Sequence, residues 1–159
     1  MKTVSPQEAL SKAQQLCAQS EQCTGDIAAR LARWGIEEHD SAAIIASLLH
    51  DRYINEERFA QAFVKDKLRF NGWGRIKIAR GLREKRIDET TVSNALASIE
   101  EEEYISILQK LLAAKRRTTT GKSDYEKGQK LLRFATMRGF EPSLALKILK
   151  LKDCDEDLF

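Results

Sequence analysis

Three times along this chain an apolar residue inside a helical pattern is followed, nine positions later, by an apolar residue that closes a turn. Ile27 precedes Ile36, Ile78 precedes Ile87 and Leu131 precedes Phe140, with offsets of 51 and 53 residues between sets. Leu31, Leu82 and Ala135 stand at one shared position inside the three sets, four residues after the first apolar residue and so one helical turn along. Each patterned helix ends in a short turn: Trp34-Gly35-Ile36, Lys85-Arg86-Ile87 and Arg138-Gly139-Phe140. Gly35 and Gly139 suit the left-handed residue after a helix end, which lets the next apolar side chain fold back onto the helix. Arg86 stands where the repeat calls for glycine, at a cost of about 1 kcal/mol. A third helix follows each turn, with Ile44/Leu48/Leu49, Val92/Leu96/Ile99 and Leu144/Ile148/Leu149 on its apolar face. A repeat of this length constrains the chain to tandem supersecondary units that bury their apolar faces against neighbours.

The fold class expected is all-α: nine helices in three tandem three-helix units, stacked into an elongated, curved body. The units are placed at 1–54, 55–99 and 100–150, with an acidic tail at 151–159. Helix starts are marked by capping boxes at Ser5-Pro6-Gln7-Glu8 and Ser123-Asp124-Tyr125-Glu126. Thr24, Asp40, Asn55 and Asp88 are read as further N-caps, and Gly74, the Glu100–Glu103 run and Glu141-Pro142 as further starts. Arg116 to Lys122 breaks the apolar period and is expected to be a mobile loop. Two prolines, eight glycines and 42% hydrophobic residues in 159 fit a folded helical chain and exclude a disordered one.

No stretch reaches the ~20 apolar residues of a membrane span, and the N-terminus lacks the layout of a secretory signal. The three cysteines, Cys17, Cys23 and Cys154, are odd in number and lack zinc-ligand spacing. They read as reduced thiols in a cytoplasmic protein, with no metal and no cofactor. Catalytic chemistry has little to build on. His39 and His50 each adjoin an aspartate, which is the pattern of surface pairs far more often than of a catalytic site. Gly72-Trp73-Gly74 follows no strand, and Thr120-Gly121-Lys122-Ser123 lacks the earlier glycine of a phosphate loop, since Arg116 occupies that position. The expected function is therefore binding, and the chain is not expected to be an enzyme.

Charge is distributed in blocks. Residues 65–86 carry nine basic and two acidic side chains, and residues 115–138 carry eight and two, although the whole chain is only +3. Such blocks present positive surfaces without a high overall charge. On the helix containing Ile78 and Leu82, Lys77, Arg80 and Arg83 lie away from the core side. A shift of 53 residues places Lys130 on Lys77 and Arg133 on Arg80, whereas the first unit has Asp26 and Ala29 there. Charges on a solvated face need not recur in register. Lys77, Arg80, Arg83, Lys130 and Arg133, together with Arg75, Arg116 and Arg117, are accordingly the candidate binding residues. Arg58 and Trp73 are further candidate contacts, weighed against a helix-end role for Arg58 and a packed role for Trp73.

The run Tyr53-Ile54-Asn55-Glu56-Glu57-Arg58-Phe59-Ala60, followed by Phe63-Val64, Gly72-Trp73-Gly74, Leu82 and Arg86-Ile87, resembles the RecX family, most strongly over residues 44–99. That family has Gly-Tyr-Leu, two acidic residues and Arg-Phe/Tyr-Ala, then Gly-x-Gly, then a helix ending Lys-Gly-Ile. Arg52 and Arg86 replace two of its glycines. The resemblance implies a modulator of the RecA recombinase that binds the RecA filament on single-stranded DNA and inhibits its ATPase and strand exchange. The partners implied are the RecA filament and single-stranded DNA, reached directly or through RecA; the chain itself is expected to be monomeric. The alternative is a free-standing nucleic-acid-binding protein built like helix-turn-helix domains. Against it, Asp88 to Ile99, the helix that would enter the major groove, has no lysine or arginine.

Overall fold

The structure, a computed structural model, describes residues 4–150; the expected acidic tail at 151–159, with Cys154, lies outside the described residues. Among them the chain is all helical, with α1 (Pro6–Gln19), α2 (Thr24–Arg33), α3 (Glu38–His50), α4 (Glu56–Arg69), α5 (Arg75–Glu84), α6 (Glu89–Ala97), α7 (Glu101–Thr118), α8 (Asp124–Met137) and α9 (Pro142–Leu149). None of these helices is long and apolar enough to cross a membrane.

The starts follow the capping residues, with two corrections. Ser5 and Ser123 accept the amide hydrogens of Glu8 and Glu126, and Asn55 and Asp88 accept those of Arg58 and Thr91. Thr24, however, is the first residue of α2, and the cap is Cys23, whose buried Sγ accepts the Asp26 N–H at 3.4 Å. Burial pushes this thiol up to about 11, so it stays neutral. Asp40 lies inside the first turn of α3, which begins at Glu38 without a side-chain cap. There its charge serves the helix dipole instead. The expected loop at Arg116–Lys122 is also shorter: α7 runs on through Arg116 and Arg117 to Thr118. Its last turn, Lys115-Arg116-Arg117, places three cations at the negative helix end, and that satisfies a helix where the apolar period has already stopped.

The three turns share one geometry. Ile36, Ile87 and Phe140 donate their amides to Leu31, Leu82 and Ala135 five residues back, at 3.0, 3.2 and 3.1 Å. The residue before each is left-handed, with φ 78° at Gly35, 62° at Arg86 and 93° at Gly139. Arg52, the other departure from the family glycines, is left-handed too, at φ 61°. The turn geometry thus survives loss of the glycine, with the steric cost carried at Cβ. Arg52→Gly and Arg86→Gly are each expected to stabilise the fold by about 0.5–1 kcal/mol, a rise of about 2 °C in thermal midpoint. Unchanged or lowered midpoints in both variants would contradict this reading of the turns.

Contacts divide the chain into two compact units, Met1–Ala62 with Leu82–Ala95 and Phe63–Gly81 with Leu96–Phe159, the boundaries falling inside α4 and α5. In the first unit, Ala9, Ala13, Ile27, Leu31, Ile36, Ile44, Leu48 and Ile54 form one buried cluster. Leu49, expected on that apolar face, is 43% exposed, because it follows Leu48 around the helix toward solvent. In the second unit Ile78, Tyr104, Leu108, Leu131, Ala135, Phe140 and Ala145 are fully buried. Ile27, Ile78 and Leu131, matched by the sequence offsets, are each buried completely.

Candidate partner-binding surface

The second unit is built around a close backbone approach. Gly74 donates its amide to the carbonyl of Arg138 at 2.8 Å, and Ile76 donates to that of Gly139 at 3.0 Å. A Cβ on Gly74 would stand 2.3 Å from the Phe140 nitrogen, and one on Gly139 would stand 2.3 Å from the Lys77 Cβ. The start of α5 and the turn after α8 are therefore pressed together, and Arg75, Lys77 and Arg80 of α5 belong to one unit with the basic positions of α8.

Within it Arg75 is an internal anchor. Its guanidinium lies 3.9 Å from the centre of the Tyr104 ring, donates to Glu141 at 2.8 Å and also bonds Glu101. The Arg75 amide donates to the Tyr104 hydroxyl at 3.0 Å, and that hydroxyl donates to Glu141. Burial, followed by its bond to Glu141, holds the Tyr104 hydroxyl above its ordinary range. Burial also pushes the Glu141 carboxyl up, but the hydrogen bonds from Tyr104 and Arg75 outweigh it and leave the group below the ordinary Glu value. A carboxylate with a depressed folded value stabilises above its unfolded value of about 4.3, and that contribution is lost as pH falls through the folded value. Glu141→Gln is expected to cost about 1–3 kcal/mol at pH 7. The difference from wild type should shrink as the pH drops below about 4. Urea midpoints at both pH values measure it, and a pH-independent difference would remove the ionised carboxylate from the account.

The other candidates sort by whether their charge is already taken. Arg58 donates to Glu21 at 3.0 Å and to the Arg52 carbonyl at 2.9 Å, and so closes the helix ends around it. Arg83 makes a two-pronged pair with Glu89, at 2.7 and 3.2 Å. Lys130 Nζ donates to the Thr120 carbonyl at 2.6 Å, from an exposed position. Lys77 is half-buried, its Nζ 4.6 Å from the centre of the Trp73 ring, while Lys67 Nζ lies 4.8 Å from the same ring. Trp73 itself is half-buried and sets its ring at 72° to that of Phe63, with centroids 6.4 Å apart. Arg80, Arg133, Arg116 and Arg117 are exposed, and none of their guanidinium groups makes an ion pair among the described residues. Arg80 and Arg133 stand two residues beyond Ile78 and Leu131, on the solvent side of their helices.

In the first unit Asp26, at the position matching Lys77 and Lys130, accepts Lys85 Nζ on both oxygens at 2.9 Å. The first repeat therefore uses this position for an internal pair. Sequence reasoning missed Tyr104 and Glu141, because their link to Arg75 depends on partners 29 and 66 residues away. It also passed over Phe70 and Met137, which are 83% and 74% exposed.

Models of the RecX family's second and third three-helix domains match residues 55–96 and 101–149. Regulatory protein RecX of Vibrio parahaemolyticus is 30% identical over 126 residues, which cover 79% of each chain. The chain belongs to the RecX family. Regulatory protein RecX of Amycolatopsis mediterranei is 25% identical over 91% of this chain and 85% of its own. The chain spans about half the length of the relatives from Clostridium perfringens and Oceanobacillus iheyensis, 53% and 45%. Two RecX crystal structures share the fold. One has a TM-score of 0.81 at 21% identity over 91% of this chain and 72% of that one. The other, from Lactobacillus salivarius, has a TM-score of 0.77 at 18% identity over 97% of both. The tandem three-helix architecture is thus that of the RecX family of regulatory proteins.

Proposed function

We propose that this chain is a non-enzymatic cytoplasmic regulator that binds the RecA filament assembled on single-stranded DNA and inhibits its ATPase and strand exchange. The observation that carries the reading is the pair Arg80 and Arg133, exposed, without ion pairs among the described residues, and at matching positions of two RecX three-helix repeats. The positive blocks at 65–86 and 115–138 suit a polyanionic partner such as a nucleoprotein filament. Arg116 and Arg117 extend this positive character at the end of α7. Reading of a DNA duplex through α6 is disfavoured by the absence of any basic residue between Glu89 and Ala97.

Retention of the purified chain on immobilised RecA–single-stranded DNA filaments, measured from low to physiological salt, tests this function. Binding is expected to weaken steeply with salt, and each phosphate contact removed by mutation should flatten the log–log slope by about 1. No retention at any salt would defeat the proposal, and retention with a slope near zero would exclude direct contact with phosphate.

A further inference from the structure

Three of the large exposed hydrophobic residues border one junction of the second unit, where the end of α4, the start of α5 and the end of α8 are linked. Phe70 follows the end of α4, Ile76 lies in the first turn of α5 and Met137 is the last residue of α8, with exposures of 83%, 44% and 74%. One side-chain bond and one backbone bond link the segments that carry them. Arg138 Nη1 donates to the carbonyl of Asn71, next to Phe70, at 2.8 Å, and Ile76 donates to Gly139, two residues after Met137. Scattered single hydrophobic residues need no explanation, but a cluster on a rigid backbone junction does.

The charges around the cluster are arranged by helical spacing. Arg80 is four residues beyond Ile76 on α5, and Arg133 is four residues before Met137 on α8, so these two exposed apolar residues each have a basic neighbour one turn away on their own face. Phe70 instead has the acidic Asp66 one turn before it, and its amide donates to the Asp66 carbonyl at 2.9 Å. An apolar centre flanked by arginines that have no ion pair among the described residues matches an acidic protein segment with apolar anchors. A single nucleic-acid strand fits less well, because only Phe70 of the three offers an aromatic face for a base to stack upon.

We infer that the Phe70–Ile76–Met137 junction is a docking surface for an acidic, amphipathic segment of a partner protein, its apolar side chains seated on these three and its carboxylates on Arg80 and Arg133. The inference rests on the proposed function in taking RecA as that protein.

The double variant Phe70→Ser/Met137→Ser tests it, since both side chains are largely exposed and the thermal midpoint should be kept. Binding of wild type and variant is measured to RecA–single-stranded DNA filaments and to a bare single-stranded oligonucleotide. The expected result is at least about tenfold weaker filament binding by the variant, with binding to the bare strand unchanged. Filament binding at wild-type strength by the folded variant would overturn the docking surface and leave the RecA reading standing. An equal loss on the bare strand would overturn it in favour of a nucleic-acid contact. Self-association of the wild type that the variant abolishes would overturn it in favour of a second copy of this chain. Wild-type protein that does not bind RecA filaments at all would overturn the RecA reading and this inference together.

Discussion

Arg80→Glu combined with Arg133→Glu is expected to weaken binding to RecA–single-stranded DNA filaments by about 50-fold at low salt, each single reversal giving about five- to tenfold. Neither guanidinium is engaged in an ion pair among the described residues, so nothing in the fold is surrendered when its sign changes. Thermal stability should stay within about 0.5 kcal/mol of wild type, as for most surface substitutions. The two lysines of the matched pairs are less clean probes. Lys77 is half-buried against Trp73 and Lys130 bonds the Thr120 carbonyl, so reversal there perturbs packing as well as charge. Half-saturating concentrations on immobilised filaments give the answer. A folded double variant that binds at the wild-type concentration would reduce both arginines to solvated charges.

Gly74→Ala is expected to destabilise the second unit by about 3 kcal/mol or more, lowering the thermal midpoint by roughly 10 °C. The new Cβ would lie 2.3 Å from the Phe140 nitrogen and 2.4 Å from the carbonyl carbon and oxygen of Gly139. All three are backbone atoms, so no rotamer change relieves the clash. The two backbone hydrogen bonds at this approach, from Gly74 to Arg138 and from Ile76 to Gly139, would be lost or stretched with it. Gly81→Ala supplies the contrast. There the Cβ would meet the far edge of the Phe63 ring at 2.9 Å, a side chain that can turn, and alanine is the better helix former by about 1 kcal/mol. Equal midpoints for the two variants would mean that the backbone at Gly74 yields more readily than the geometry allows.

The architecture was legible because it is written as a period. Ile27, Ile78 and Leu131 recur with their turns, and local rules suffice to read a helix, a left-handed residue and an apolar residue folding back. Arg86 broke the glycine pattern without breaking the turn, since five-residue-back hydrogen bonding and the burial of Ile87 hold it. Local rules failed where a helix end is decided by charge or by a neighbour. Arg116 and Arg117 continue α7 past its last apolar residue, and Cys23, buried against its own unit, takes the capping role that its polar neighbour Thr24 was expected to play.

The candidate surface was legible in part. The sequence placed Arg80 and Arg133 on outward faces from the positions of Ile78 and Leu131, and they stand exposed in the structure. It had no means of telling them from Arg58, Arg75 and Arg83, whose charges are taken by Glu21, by Glu101 and Glu141, and by Glu89. Three of those acceptors, Glu21, Glu101 and Glu141, stand 37, 26 and 66 residues away along the chain, and an ion pair formed by tertiary contact leaves no trace in local spacing. The exposed Phe70 and Met137 were hidden for the same reason, because apolar residues at helix ends read as core until their surroundings are known.

The proposed role is inhibition of RecA without catalysis by the chain itself. ATP turnover by RecA on single-stranded DNA, followed as the purified chain is titrated in, measures this directly. The expected result is a saturating fall in turnover together with shortened filaments, while the chain alone hydrolyses no ATP. Turnover that stays constant at concentrations where the chain is retained on the filament would contradict the account.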